Sequence, residues 1–443
     1  MRSAILLDDP PSERAVPSAG YPPVPTPGPA ALLVPLPALL LLASLAAAAE
    51  PNLEIRQLTT GPAHHFFGYI GHVQNIPWNQ SGHYILALRS SVRDHLPRAD
   101  EPAEIVLLDA ERDYAARVIE KTRAWNPQQG SMLYWNPQAQ ETQFFFNDRD
   151  ERTGHVFAVL CEVTPQGSRR VREYRFADVP IGNSGVAQRG GRFYAINYGR
   201  LANLRAVTGY AGAFDTTKDV NHPANDGVFT VDVATGERKL LVSFEQLAAQ
   251  LRKDYPAVDE QALFINHTLS SRDDSRVLFF LRGGWDKGGT RVNIALVMNA
   301  DGSRLRPLAD FIGGHPEWLD GQRLIGSLNK RQVIYDSESM RVVGTIGDES
   351  QLPNPEGDVA LSPDGRWLAN GYRVGNENLY AVLRLDGSVF ARSRGFDVKG
   401  WTQGNLRVDA APCWNRRSDQ ILFSALAGDA DRTRQLFLMT ILP

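Results

Sequence analysis

Cysteine is nearly absent from this chain: 443 residues contain only two, Cys161 and Cys413, far apart in sequence. That excludes a disulfide framework. An exported chain could pair the two, but nothing in their surroundings favours a bridge over two buried thiols. A charge excess is also lacking, since the net charge of -3 gives no electrostatic footprint for nucleic acid. Helical periodicity is scarce past residue 50. Apolar residues recur at three- and four-residue spacing only near Ser243 to Lys253, SFEQLAAQLRK, which reads as a helical insertion.

Long apolar runs are confined to the first fifty residues. Ala30 to Leu45 is an uncharged stretch of Ala, Leu, Val and Pro, followed by Ala47, Ala48 and Ala49 and a polar start at Glu50. This is the pattern of a secretory signal with a small-residue cleavage site, and it is short for a membrane anchor. The segment before it is long and Pro-rich, and it sets Arg2 and Arg14 against Asp8, Asp9 and Glu13, unlike a positive n-region. This leaves two readings, a true start downstream or a tether. The expectation is a leader over 1-49 and one domain over 50-443, exported to the periplasm or secreted, with no membrane insertion after processing. The hydrophobic fraction of 43% and charged fraction of 22% are those of a globular protein with a sizeable core.

What the chain does have is a repeat. Short apolar strands alternate with Gly, Asn, Asp and Pro turns, an all-β signature. A turn or aromatic anchor followed by a β run begins at Ile76, Met132, Ser184, His267, His315, Asp358 and Ala411, and each is followed by a second apolar strand ending in a turn. Each pair of units supplies about four strands, one blade of a β-propeller at roughly 40 to 50 residues. The last copy is one strand short, and Leu53 to Thr59 is free to complete it. The predicted fold is a seven-bladed β-propeller whose N-terminal strand closes the last blade, leaving no open edge.

Innermost strands of a propeller converge on one funnel. Aligning the units brings His267, His315 and Asp358 into one column on three consecutive blades, imidazole and carboxylate groups of the kind that hold a divalent metal such as zinc or manganese. The other half of the ring is different. Gly61 to Asn79, GPAHHFFGYIGHVQNIPWN, carries His64, His65 and His72, and Arg93 and His95 follow in a basic loop. The second blade offers Tyr134 and Arg149, the third Tyr198, Arg200, Arg205 and Tyr210. His, Tyr and Arg together suit an anionic substrate that must lose a proton, as in β-elimination at a uronic acid.

HHFFGY (64 to 69), PWN (77 to 79), QQGSMLYWNP (128 to 137), FNDR (146 to 149), NYGRL (197 to 201) and NHT (266 to 268) resemble the seven-bladed propeller polysaccharide lyases that cut ulvan and, more distantly, the oligogalacturonate lyases. The resemblance spans the mature chain and is most specific in the first three blades. It implies a monomeric lyase acting on an acidic polysaccharide or oligosaccharide, with Arg149 on the carboxylate, Tyr198 as acid or base, Tyr134 as the second-blade site residue, and His65 or His72 as the histidine. His64, His95, Arg93, Arg200, Arg205 and Tyr210 would bind substrate. A structural metal would sit on the later blades. There are departures: such proteins carry a His near Ala411 and another near Asp358, so the metal is in question, and a propeller that binds sugar or protein without cutting stands as the alternative.

Overall fold

In the computed structural model the described residues are 52–442, apart from 68–73, 287, 354, 356, 429 and 431. The leader and His72 therefore lie outside the described residues. Seven antiparallel sheets are present, six of four strands and one of five. Their inner strands are His64–Phe66, Tyr134–Trp135, Gly182–Val186, Phe264–Ser270, Gly313–Trp318, Val359–Leu361 and Cys413–Trp414, which begin blades one to seven. Asn52–Gln57 pairs antiparallel with Arg434–Leu442, from Asn52 opposite Leu442 to Gln57 opposite Phe437. The ring is thus closed by the N-terminal strand, as the incomplete last repeat predicts. Leu53 and Ile55 alternate toward the core and pack on the cluster of Phe423, Phe437 and Met439, each contributing on the order of 1–2 kcal/mol of burial.

The recurring anchor has a physical role. Trp135 Nε1 donates to Pro77 O at 2.7 Å, Trp318 Nε1 to Leu269 O at 2.9 Å, and Trp414 Nε1 to Ala360 O at 2.8 Å. Each indole reaches back to the backbone of the preceding blade, so the anchor satisfies its own polar group while filling the space between blades.

Three of the seven inner strands are not regular. Their registers slip between Asn183 and Gly185, between Asn266 and Leu269, and between Gly313 and Glu317. Met132, His267 and His315 all have positive φ, at 56°, 58° and 46°. Of the column read from the repeat, His267 and His315 therefore sit at bulges, a device that re-aims side chains near sites, whereas the strand that follows Asp358 pairs regularly. Where blades three and four approach, a Cβ on Gly185 would lie 2.1 Å from Thr268 O, so only glycine fits.

The expected insertion is a helix, Phe244–Leu251, begun by a capping box between Ser243 and Gln246. Blade three also inserts Tyr198–Leu204, whose N-cap Asn197 accepts from Arg200 N–H. Both cysteines are buried and free. Among the described residues no helix is long and apolar enough to cross a membrane.

Candidate functional site

Three of the tyrosines named from sequence meet at the neighbouring ends of blades two and three. Tyr198 and Tyr210 stack with centroids 4.3 Å apart and planes 15° from parallel. Tyr198 Oη donates to Asn183 O at 3.1 Å, and Tyr210 Oη accepts from Asn147 Nδ2 at 3.0 Å. Asn147 also receives Asn183 N–H on Oδ1 at 2.7 Å, an approach that Gly182 permits, because a Cβ there would lie 2.9 Å from the amide. Tyr134, on the inner strand of blade two, is close enough to interact electrostatically with both. Burial pushes all three phenols above their ordinary range, so they hold their protons at neutral pH and are suited to donate them.

Arg149 ends the strand that carries Asn147, two positions on and hence on the same face. Its guanidinium abuts Gly212, two residues beyond Tyr210. It donates to the carbonyls of Ala99 and Asp150, and its buried Nε has no partner among the described residues. Burial, then the nearby Arg123, lowers its pKa. Arg170 takes Asp148 Oδ2 at 2.8 Å, and Arg123 takes Glu151 at 3.1 Å. Among the described residues Arg149 is left without an ion-paired carboxylate.

The opening histidines are held elsewhere, on the seam between blades seven and one. His64 Nδ1 accepts from Arg434 N–H at 2.8 Å and its Nε2 faces Arg93 O at 3.4 Å, which fixes the Nε2–H tautomer. Burial, reinforced by Arg434, lowers its pKa to about 4. His65 Nδ1 donates to Gln435 Oε1 at 3.0 Å, and burial lowers its pKa too. The ring of His65 lines a cavity of about 480 Å³ with Thr59, Arg89 and Tyr114, while Tyr134 lines a different one with Gln74, Asn75 and Arg416. The two described histidines and the tyrosine cluster thus do not share one cavity.

Of the residues expected to touch substrate, several have framework partners. Arg200 is buried, and four of its five N–H groups go to the carbonyls of Leu263, Thr217, Val220 and Asn221. Arg205 pairs with Asp286 at 2.9 Å and lies over Trp285. His95 bridges Asp94 and Glu101, and those hydrogen bonds raise its pKa. Arg93 borders a small aromatic pocket with His64, Trp125 and Trp401.

The column of His267, His315 and Asp358 does come together. The two rings lie 5.3 Å apart, and His315 Nδ1 bonds Asp358 Oδ1. His267 Nδ1 receives Gln129 Nε2–H at 3.2 Å. Gln129 comes from the blade one to two connection and crosses to blade four, a reach that no repeat pattern signals. As a metal centre the column does not fit: among the described residues no group of three His, Cys, Asp or Glu could hold an ion, and Nδ1 of His315 and of His267 already face a carboxylate and an amide. A cavity of about 300 Å³ opens beside it, lined by His315, Asp358, Tyr372, Arg373, Arg407 and Asp409. Arg407 pairs with Asp409 at 2.7 Å, and Arg373 lies 3.5 Å from the same carboxylate.

The architecture is that of a seven-bladed propeller with two polar sites, one on each half of the ring. No protein-family model matches the chain, and no curated protein sequence does. Solved structures do match: an oligogalacturonate lyase in complex with manganese, at 16% identity and a TM-score of 0.57, covers 89% of this chain and 94% of its own. TolB from Acinetobacter baumannii, at 11% identity and a TM-score of 0.39, covers 88% of this chain and 97% of its own. At these identities the first likeness establishes the propeller fold alone, and the second carries no further argument.

Proposed function

We propose that this chain is an exported, monomeric polysaccharide lyase that cleaves a uronic-acid-containing polysaccharide or oligosaccharide by β-elimination. The observation that carries the reading is Arg149, a buried guanidinium without a carboxylate of its own, two strand positions from the asparagine that holds the stacked tyrosines. A substrate carboxylate would supply the missing anion. Pairing with Arg149 withdraws charge from the carboxylate and stabilises the carbanion formed when the adjacent C–H is broken. The electron pair then forms the C=C bond and expels the glycosidic oxygen, which takes a proton from a tyrosine that burial keeps protonated. Tyr134 is the tyrosine that lines a cavity, so it meets the sugar first. Of the two histidines named as base from sequence, His65 lines a cavity apart from Tyr134, so the base is left to His72, which lies outside the described residues. The manganese belongs to the neighbouring structure, and no step here passes through an ion.

The fold likeness to an oligogalacturonate lyase over almost the whole of both chains supports the reaction class by analogy only. A glycan panel tests it: incubation with uronate-containing polymers should raise the ultraviolet absorbance of the unsaturated product. Silence across a broad panel sinks the reading. A second reading, a propeller that binds sugar without cutting it, is favoured by the burial of Tyr198 and Tyr210, whose hydroxyls already have partners. It requires binding without turnover, unchanged in Tyr198→Phe.

A further inference from the structure

We infer that the cavity beside His315 and Asp358 is a binding site for an uncharged, hydroxyl-rich ring, a neutral pyranose unit, separate from the Arg149 region and independent of whether that region is catalytic. Three observations lead there. First, the charges lining the cavity are spent on one another: His315 on Asp358, and Arg407 and Arg373 on Asp409. Arg407 is matched by Asp409, and Arg373 is held as well by Asn378 Oδ1 and the carbonyls of Thr402 and Val408, so neither guanidinium is left without partners for an acidic sugar. Second, the cavity wall carries an unsatisfied acceptor. Asp358 is 3% exposed, and while Oδ1 meets His315, its Oδ2 is buried with no partner among the described residues. A buried acceptor of this kind calls for a donor, and a sugar hydroxyl is a donor that brings no charge.

Third, the volume of about 300 Å³ lies at the lower end of small-molecule sites, about 300–1,000 Å³, room for one sugar ring and far more than an ion needs. Backbone packing holds the walls in place. A Cβ on Gly371 would lie 1.9 Å from Ala410 O, and one on Gly357 would lie 1.4 Å from Gly371 O, so blades six and seven meet there without side chains between them. His315 is fixed from both sides, by its left-handed backbone and by Asp358.

Titration calorimetry of the full chain with a panel of neutral methyl pyranosides, and with methyl glucuronide as the acidic counterpart, tests this. At least one neutral glycoside should bind, with Asp358→Asn weakening it about tenfold by turning an acceptor into a donor. His315→Asn, which suits a left-handed backbone, should weaken it similarly by freeing Asp358, and so guards against a folding defect in the first variant. Arg149→Gln should leave neutral-glycoside binding unchanged. The inference is overturned if no neutral glycoside binds, if binding survives both variants, or if chelation of the wild-type protein abolishes it, which would hand Asp358 to a cation. Absence of lyase product leaves these outcomes untouched, so the two readings fail separately.

Discussion

The two halves of the ring spend their charges in opposite ways. Around blades two and three a guanidinium is buried without a carboxylate, beside phenols that burial keeps protonated. Around blades five and six the two described arginines that line the cavity, Arg373 and Arg407, share Asp409, and what is left over is an acceptor. An unpaired buried cation is costly, and its persistence points to a partner that arrives from outside. A neutralised cluster with a spare acceptor asks only for a hydroxyl. Under the two proposals an acidic ligand belongs to one side and a neutral ligand to the other.

The largest effect should come from breaking the first side. Arg149→Gln removes the charge and is expected to lower kcat on the responsive glycan by about 10²–10³-fold. Arg149→Lys should recover only part, because an ammonium cannot present a planar pair of donors. Steady-state kinetics check both. If Arg149→Gln turns over normally, the unpaired guanidinium is a structural oddity and the contrast between the halves loses its meaning.

The second test concerns pH, where Glu317 and His64, the latter on the seam between blades seven and one, should oppose one another. Glu317 ties blades four, five and six, bonding Arg272 and accepting Leu361 N–H. Burial outweighs the attraction of Arg272 and raises its pKa to about 7 from 4.5. A raised pKa means the folded protein holds a proton that the unfolded chain releases, so this contribution is complete below pH 4.5 and is lost as pH rises to about 7. It amounts to at most about 3 kcal/mol. His64 runs the other way. Its folded pKa of about 4 lies below 6.5, so its contribution is present above pH 6.5 and is lost as pH falls toward 4.

The two slopes partly cancel between them. Glu317→Gln should unmask a stability that rises with pH across the His64 window, and His64→Gln one that falls with pH across the Glu317 window. Urea midpoints at a series of pH values give the sign directly. Parallel profiles for wild type and both variants would show that neither group is held as the structure has it.

Much of the fold was legible because it depends on repetition. Seven anchors, an incomplete last unit and a spare strand at Leu53 suffice to close the ring, and the tryptophans that recur in the anchors turn out to staple neighbouring blades. The stacking of Tyr198 on Tyr210 owes nothing to the repeat, since both lie in the insertion between strands Arg192–Ile196 and Gly227–Asp232. What was not legible comes from contacts that ignore the repeat. His64 and His65 are captured by Arg434 and Gln435 of the last blade, residues that read in sequence as an ordinary strand. Gln129 reaches across to His267. Asp358 is spent on His315 and left with one bare oxygen, a detail of side-chain direction set by the bulged inner strands. Periodicity places residues on blades, but it says nothing about which neighbour takes each polar atom.

The smallest effect should come from Tyr210→Phe, and it decides whether that tyrosine is part of the chemistry or of its support. The hydroxyl accepts one N–H of Asn147, whose Nδ2 also donates to Asn183 O at 2.8 Å. Losing the phenol oxygen strips one bond from an amide that keeps another, a cost of about 1 kcal/mol. The stacked ring remains and continues to pack on Tyr198, so the surroundings of Tyr198 are preserved. Stability should drop by that amount with KM and kcat within a few-fold of wild type, whereas Tyr198→Phe should reduce kcat well beyond its own loss of stability. If Tyr210→Phe is the variant that loses turnover, the proton donor has been placed on the wrong member of the stack, and the acidic side of the ring must be rebuilt around Asn147 and Tyr210.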